Sequence, residues 1–298
     1  MTLAELGTET ANDRTSDLDM MSVADLLTVM NQEDRSVPVA VAAALPAIED
    51  AVHSIVAARR RGGRLIYLGA GTSGRLGVLD AVECPPTFGT DPGEVLGLIA
   101  GGERAFLKAV EGAEDDPDLA VADLRAAGLT SDDVVVGLAA SGRTPYVIGG
   151  LVHARSVGAA TVSVACNTGA EISACADVAI EVDTGPEVLT GSTRLKAGTA
   201  QKLVCNMLST ASMIRTGKVF HNLMVDVRPT NAKLVDRARR IVSAATGADP
   251  DTAAAAIDQA GGHAKTAVVM LLTDTDYPTA AARLHRAQGD VRTAITLA

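Results

Sequence analysis

The chain has no tryptophan, and only three tyrosines and three phenylalanines occur among its 298 residues. Proteins that bind nucleic acid stack bases on aromatic side chains and carry a basic surface, whereas this chain has a net charge of −10. No apolar run reaches the roughly 18 residues that a membrane-spanning helix needs. The first residues show neither the basic region nor the apolar core of a signal peptide. These absences argue against nucleic acid and membrane as partners and predict a cytoplasmic protein.

Metal-binding spacings are also absent, since the four cysteines and five histidines are scattered without Cys-x-x-Cys or His-x-x-x-His pairs. Isolated cysteines in a reducing compartment usually serve as small buried apolar residues. We therefore expect no metal site. What the chain does contain is a globular composition, 47% hydrophobic and 21% charged, in a length that suits one large and one small domain.

Five short apolar runs have the length of buried parallel strands. They are residues 65–68, 95–100, 134–139, 161–165 and 178–182. Helical patterns separate most of them, and this alternation predicts a parallel sheet covered by helices on both faces. We therefore predict a three-layer α/β/α domain at residues 51–238, with a helical extension at 1–50 and a small helical domain at 239–298.

The first of these runs leads into a glycine-rich turn, residues 69–74, that contains Thr72 and Ser73. A strand, a glycine-rich turn and a helix in succession direct backbone N–H groups toward an anion. The glycine spacing also matches the dinucleotide pattern, but the next strand-like run ends in Gly101-Gly102 without the acidic residue that a dinucleotide site requires. No P-loop lysine follows. The turn therefore favours a small phosphorylated ligand.

A second hydroxyl-bearing turn follows the run 134–139 and contains Ser141, Arg143 and Thr144. Taken alone, each turn is equally compatible with an ordinary strand-to-helix connection in which Ser or Thr caps the helix. Ligands of parallel sheets bind at the carboxyl ends of the strands, where both turns are placed. Because two such turns occur, and because Arg143 is available for a bidentate contact, we predict that they bind one phosphate together.

Two carboxylates and one lysine are further candidates. Glu83 stands just before a Cys-Pro-Pro sequence, whose prolines are expected to stop a helix. Glu114 lies in an acidic run that is otherwise typical of a solvated surface, where a neighbouring aspartate caps the next helix. Lys196 suits either a contact with ligand oxygens or a structural ion pair with Glu187.

Six segments together form a recognisable pattern. They are residues 69–80, 83–89, 101–104, 110–116, 141–146 and 191–202. They resemble the N-acetylmuramic acid 6-phosphate etherases, a family within the sugar isomerase (SIS) group of phosphosugar-binding domains. The resemblance extends from about Asn31 to Asp236, and Leu195 departs from the methionine more usual at that position. It implies a SIS-type, flavodoxin-like fold, a homodimer and a role in amino-sugar and peptidoglycan recycling.

The resemblance implies a carbon–oxygen lyase that cleaves the lactyl ether of N-acetylmuramate 6-phosphate, giving N-acetylglucosamine 6-phosphate and D-lactate. By position it implies catalytic roles for Glu83, expected as the acid, and Glu114, expected as the base. Such an elimination needs one protonated and one ionised carboxyl group and requires no metal or redox cofactor. The expected substrate-binding residues are Thr72, Ser73, Ser141, Arg143, Thr144, Ser192 and Lys196. His221 is a candidate for the group that opens the sugar ring.

Geometry raises one difficulty, because a continuous helix from Gly74 to Glu83 would carry that carboxylate roughly 13 Å from the phosphate turn. We therefore expect Glu83 to reach the site of a dimer partner, with the apolar side of a long helix over Ser192–Arg215 at the interface. Two other functions stay open. One is a non-catalytic phosphosugar sensor similar to the glucokinase regulatory protein, and the other is an aldose–ketose isomerase on the same fold.

Overall fold

Five parallel strands form the central sheet of the computed structural model, which describes residues 6–108, 110–227 and 232–297. They are β1 (Leu65–Gly69), β2 (Val95–Ile99), β3 (Val134–Leu138), β4 (Ala160–Ala165) and β5 (Val178–Glu181). The strand order is β2-β1-β3-β4-β5, which is the flavodoxin-like order. All five strands lie at the predicted positions, and the predicted α/β fold class is confirmed.

The helices around this sheet also follow the sequence pattern closely. Those of the first three-quarters of the chain are α1 (Val23–Asp34), α2 (Val37–Ala43), α3 (Leu45–Arg60), α4 (Gly71–Phe88), α5 (Glu103–Leu107), α6 (Pro117–Ala126), α7 (Pro145–Val157) and α8 (Lys196–Arg215). Helices α2 and α3 are separated by a break at Ala44. Among the described residues no single helix could span a membrane by length and hydropathy, although α1–α2 and α3 pass that test as a pair bent by 60°.

Successive residues of β1 point to opposite faces of the sheet, and helices pack on both faces. Ile66 and Leu68 belong to a buried cluster with Tyr146 and Leu151 of α7. On the other face the Tyr67 hydroxyl donates to Asp80 of α4 at 2.9 Å. All five residues of β1 are buried. This central strand therefore holds the turn at its carboxyl end rigidly in place.

Helix α4 does not stop before its prolines, and the expectation that it would is wrong. The helix continues through Pro85 and Pro86 to Phe88. Each proline lacks the N–H for its helical hydrogen bond and crowds the carbonyl group four residues earlier, so other contacts must stabilise this turn. Cys84 is 2% exposed and Phe88 is 6% exposed, so burial holds this last turn in helical form.

The chain divides into two compact units. One contains the chain up to Val82 together with Glu94–Ser209, and the other contains Glu83–Gly93 and the chain from Thr210 on. The helices of the second unit are α9 (Ala232–Thr246), α10 (Pro250–Gln259), α11 (Ala264–Thr273), α12 (Tyr277–Arg286) and α13 (Val291–Thr296). Helix α11 is at the centre of their apolar core. The tail is thus helical as predicted, while the boundaries at residues 50 and 238 stay predictions.

Candidate active site

The first predicted turn connects β1 to α4 at the edge where the strand order reverses. A Cβ atom on Gly74 would lie 2.6 Å from the carbonyl oxygen of Gly69, so a side chain at residue 74 would collide with the backbone. This close approach lets α4 begin directly after the strand, with Thr72 and Ser73 in its first turn. The N-terminus of α4 and these two hydroxyls therefore occupy the carboxyl end of β1, where an anion is stabilised.

Ser73 is held by a residue that the sequence pattern did not single out. Its Oγ lies 2.9 Å from Oε1 of Gln201 on α8, and the Ser73 side chain is buried. The amide nitrogen Nε2 of Gln201 is buried and has no hydrogen-bond partner among the described residues. The Oε1 and Nε2 atoms of the Gln201 amide can exchange places by a 180° rotation with almost no change in shape, and Nε2 then donates to Ser73. The Ser73 hydroxyl then keeps its proton for an acceptor in the cavity.

The second predicted turn connects β3 to α7. Since Gly69 of β1 pairs with Leu138 of β3, the two turns begin at neighbouring strand ends. The Ser141 Oγ accepts the backbone N–H of Arg143 at 3.3 Å, and Thr144 precedes α7. The Arg143 Nε lies 2.8 Å from Oε1 of Glu171, so this guanidinium already has one carboxylate partner.

The two turns line one cavity of about 410 Å³. This volume lies in the range of small-molecule sites. The cavity brings together five predicted ligand residues and one predicted catalytic residue, namely Thr72, Ser73, Ser141, Arg143, Thr144 and Glu114. It is also lined by Asp115, Thr193 and Glu9, which the sequence pattern did not identify as site residues. Thr193 lies inside the matching segment 191–202 and could have been found there, whereas the N-terminal stretch around Glu9 shows no periodic signal.

Glu114 and Asp115 form an acidic wall of the same cavity. Glu114 and Asp115 belong to a single 3₁₀ turn, Ala113–Asp115, that follows Gly112 in a left-handed conformation. The next residue, Asp116, caps α6 by accepting the N–H groups of two residues in its first turn at 2.9 and 3.3 Å. The cap alternative is therefore correct for Asp116. Glu114 is exposed and also lines an adjoining cavity of about 180 Å³.

Three other predicted residues have different surroundings. The residues that line the larger cavity all belong to the first unit, whereas Glu83 and His221 belong to the second. Glu83 is exposed on α4. It follows Gly74 by nine helical residues, which separate the two by roughly 13 Å along the helix axis. The His221 Nδ1 lies 3.3 Å from the Arg292 guanidinium. Ser192 is half-buried beside the lining residue Thr193 but does not line the cavity itself.

Lys196 does not line the cavity and is buried in a network of charges. Its Nζ lies 2.9 Å from Oε2 of Glu33 on α1, and Arg14 and Asn12 bind the same carboxylate. Burial works to raise the pKa of Glu33, but the hydrogen bond and charge of Lys196 bring that pKa below its ordinary value. The lysine side chain therefore pairs with Glu33 rather than with Glu187.

Glu187 supports the same region through the backbone. Its two carboxylate oxygens accept the N–H groups of Lys196 and Ala197 at 2.9 and 3.0 Å, at the start of α8. The side chain is fully buried, and this burial raises the pKa of Glu187 against the effect of the two N–H groups. The start of α8, and with it the loop that carries Thr193, is thus held by a buried acceptor.

Two family models match the chain. The model of the glucokinase regulatory protein N-terminal SIS domain matches residues 47–155, and the SIS domain model matches residues 117–211. A solved structure from Bacteroides fragilis, described as a candidate phosphosugar isomerase involved in capsule formation, aligns with a TM-score of 0.50 at 19% identity. That alignment covers 67% of this chain and 95% of the other. The strand order, the cavity at the strand ends and the matching models define a protein of the SIS-domain class.

Within that class the sequence relatives are more specific. The chain is 68% identical to the N-acetylmuramic acid 6-phosphate etherase of Mycolicibacterium smegmatis, over 91% of both chains. It is 61% identical to the N-acetylmuramic acid 6-phosphate etherase of an Exiguobacterium species, over 91% of this chain and 92% of the other. The chain belongs to the N-acetylmuramic acid 6-phosphate etherase family, which confirms the resemblance that its sequence motifs indicate.

Proposed function

We propose that this chain is a lyase that cleaves the lactyl ether of N-acetylmuramic acid 6-phosphate and gives N-acetylglucosamine 6-phosphate and D-lactate. The observation that carries the proposal is the cavity itself, which two hydroxyl-bearing turns and Glu114 line together in a chain with etherase relatives. An anion site and a carboxylate in one small cavity suit a substrate that carries a phosphate at one end and reacts at the other.

The phosphate binds at the turns after β1 and β3. Thr72, Ser73, Ser141 and Thr144 offer hydroxyl groups, and the N-terminus of α4 adds the favourable end of its dipole. Arg143 contributes positive charge, which it shares with Glu171. Because several neutral donors and one cation hold the phosphate, the acidic wall remains for the sugar portion of the substrate.

The reaction is an elimination followed by addition of water. Opening the pyranose ring exposes an aldehyde at C1, which acidifies the proton at C2. Glu114 takes that proton, a double bond forms between C2 and C3, and the C3–oxygen bond breaks. Glu83 protonates the departing lactate oxygen, and water then adds at C3. The two carboxyl groups must differ in protonation, as in other acid–base pairs.

The active enzyme is a homodimer in which Glu83 reaches the cavity of the partner subunit. One helix face supports this assembly, because α8 leaves Leu203, Met207 and Ala211 only partly buried and Ile214 47% exposed. These residues form an apolar stripe at helical spacing. A two-fold interface along the stripe would cover it. The four cysteines are free, which fits a reducing compartment and supports a cytoplasmic location.

Exchange of the C2 hydrogen with solvent deuterium tests the reaction and separates the two carboxylates. Glu83→Gln keeps the base, so the variant is expected to exchange the C2 hydrogen while it releases little D-lactate. Glu114→Gln is expected to lose both exchange and release. Loss of a general acid or base typically lowers the rate by ~10²–10⁴. The exposed neighbour Asp118 supplies a control as Asp118→Asn, which should keep both activities.

The outcomes distinguish the remaining functions. If the wild-type protein binds the phosphosugar but neither exchanges the C2 hydrogen nor releases lactate, the chain is a sensor. If it exchanges the C2 hydrogen and forms a ketose without lactate, it is an isomerase. Exchange retained in Glu114→Gln and lost in Glu83→Gln would reverse the two roles. Normal lactate release by both variants would show that neither carboxylate is catalytic.

A further inference from the structure

A third glutamate belongs to the cavity, and it comes from the N-terminal stretch that sequence patterns describe only as polar and irregular. Glu9 is the last residue of a 3₁₀ turn, Gly7–Glu9, and it lines the same cavity as Glu114 and Thr193. Its Oε2 lies so near the loop before α8 that a Cβ atom on Gly191 would be 3.3 Å away. Glu9 is thus seated in the wall that carries Thr193.

The segment that bears Glu9 is anchored to the phosphate-binding region. Thr8 is fully buried, its backbone N–H donates to Oδ1 of Asn167 at 3.2 Å, and its Oγ1 accepts Nδ2 of Asn167 at 2.9 Å. The same Nδ2 lies 3.2 Å from the carbonyl oxygen of Ala140 and 3.4 Å from that of Ser141. Asn167 therefore ties Glu9 and the second hydroxyl-bearing turn to one buried residue.

A second set of bonds holds the residues that follow. The Asn12 Nδ2 donates to Glu33 at 3.0 Å, and the Arg14 guanidinium donates to the other oxygen of that carboxylate at 2.6 Å. Glu33 is itself paired with Lys196. The turn that presents Glu9 is therefore fixed on both sides, by Thr8 within it and by Asn12 and Arg14 after it. A side chain presented in this way occupies a defined position in the cavity wall.

Charge determines which part of a ligand Glu9 can contact. A carboxylate repels a phosphate dianion, and the repulsion is greater in a cavity than in open water. Sugar hydroxyl and amide N–H groups are donors, for which an ionised carboxylate is a strong acceptor. Glu9 therefore suits the uncharged portion of a phosphosugar in the cavity that it lines together with Glu114.

We propose that Glu9 is a substrate-contacting residue that determines specificity, and that its carboxylate accepts hydrogen bonds from hydroxyl or amide N–H groups of the bound sugar. The identity of that sugar rests on the proposed function. The contact distinguishes a phosphorylated sugar from a bare phosphate ion, because only the sugar has donors to offer. Hydrogen bonding also orients the sugar portion relative to Glu114.

Calorimetric titration of the wild type, Glu9→Ala and Glu9→Gln with two ligands tests this proposal. N-acetylglucosamine 6-phosphate carries both the phosphate and the sugar donors, whereas inorganic phosphate probes the hydroxyl-bearing turns alone. Glu9→Ala is expected to bind the sugar phosphate about 10- to 100-fold more weakly, the range for losing a hydrogen bond to a charged group. Inorganic phosphate is expected to bind as well as before or slightly better. Glu9→Gln is expected to lie between wild type and Glu9→Ala.

The control is Glu49→Gln on α3, whose carboxylate is 75% exposed, lies 3.7 Å from the His53 ring and does not line the cavity. It should bind both ligands as the wild type does. Equal weakening of both ligands together with a lowered Tm in Glu9→Ala would overturn the proposal and give Glu9 a structural role only. Unchanged affinity for the sugar phosphate would also overturn it.

Steady-state kinetics supply a second readout. Glu9→Ala is expected to raise the KM for N-acetylmuramic acid 6-phosphate by a similar factor, and a normal KM would contradict the contact. Failure of the proposed function looks different, because the wild type itself would then release no lactate. The ratio of sugar-phosphate to phosphate affinity still decides the role of Glu9 in that case, since it needs no turnover.

Discussion

The buried pair of Lys196 and Glu33 allows a quantitative test of whether that lysine binds ligand or supports the fold. The two side chains are 3% and 10% exposed, and their charged atoms are 2.9 Å apart. Lys196→Met removes the ammonium group and leaves the Glu33 carboxylate buried. Breaking a buried ion pair on one side costs about 3–5 kcal/mol. Because Arg14 and Asn12 still bind Glu33, we expect the lower end of that range, about 3 kcal/mol.

Thermal unfolding followed by circular dichroism measures this loss. Unfolding entropy is about 2.1 cal/mol/K per residue, so about 3 kcal/mol spread over roughly 200–300 residues lowers the Tm by roughly 5–7 °C. Lys202→Met is the matched control on the same helix. Its ammonium is 34% exposed and lies 3.8 Å from Asp80, so we expect a loss within ~1 kcal/mol.

The double variant Lys196→Met with Glu33→Gln sharpens the test. It also removes the buried Glu33 charge that has lost its lysine partner, so we expect it to recover part of the lost stability. A Tm for Lys196→Met equal to that of the wild type, together with a raised KM for the phosphosugar, would refute this reasoning. Lys196 would then be the ligand-binding residue that the sequence pattern allows.

Three further predictions concern the site, the acid limit of stability and the assembly. Ser73→Ala should weaken phosphosugar binding about 10-fold in calorimetry while Thr199→Ala, an exposed change on α8, leaves it unchanged. Burial works to raise the pKa of Asp133, but hydrogen bonds from Arg64 and Thr130 hold it below its ordinary value. The stability that Asp133 contributes is therefore fully present above about pH 4 and is lost as the pH falls further. Asp133→Asn should flatten the dependence of the Tm on pH between pH 5 and pH 2. An unchanged dependence would contradict this. Met207→Glu should give a monomer in light scattering, whereas Thr210→Glu should remain a dimer. A dimer in both variants would show that α8 does not form the interface.

Local sequence patterns were sufficient to predict the secondary-structure elements and the family. The strands could be predicted because each is a short apolar run between turns, and a parallel strand buried on both faces has no other composition. Helix α1 begins directly after Ser22, whose Oγ accepts the N–H of Asp25 at the spacing of a capping box. The two hydroxyl-bearing turns could be predicted to meet because parallel strands bring their carboxyl ends to one edge of the sheet. Each of these signals is carried by residues that lie only a few positions apart in the chain.

Tertiary structure decided what those patterns left open. Lys196 pairs with Glu33, a residue 163 positions away, and no local spacing indicates that contact. Helix α4 continues past its prolines because Cys84 and Phe88 are buried. Glu9 enters the cavity because Asn167 holds Thr8, across 159 positions. Pairings over such distances depend on how the helices, strands and loops pack together. The free energy of burying a charge or a polar group is set by its neighbours in space rather than in sequence.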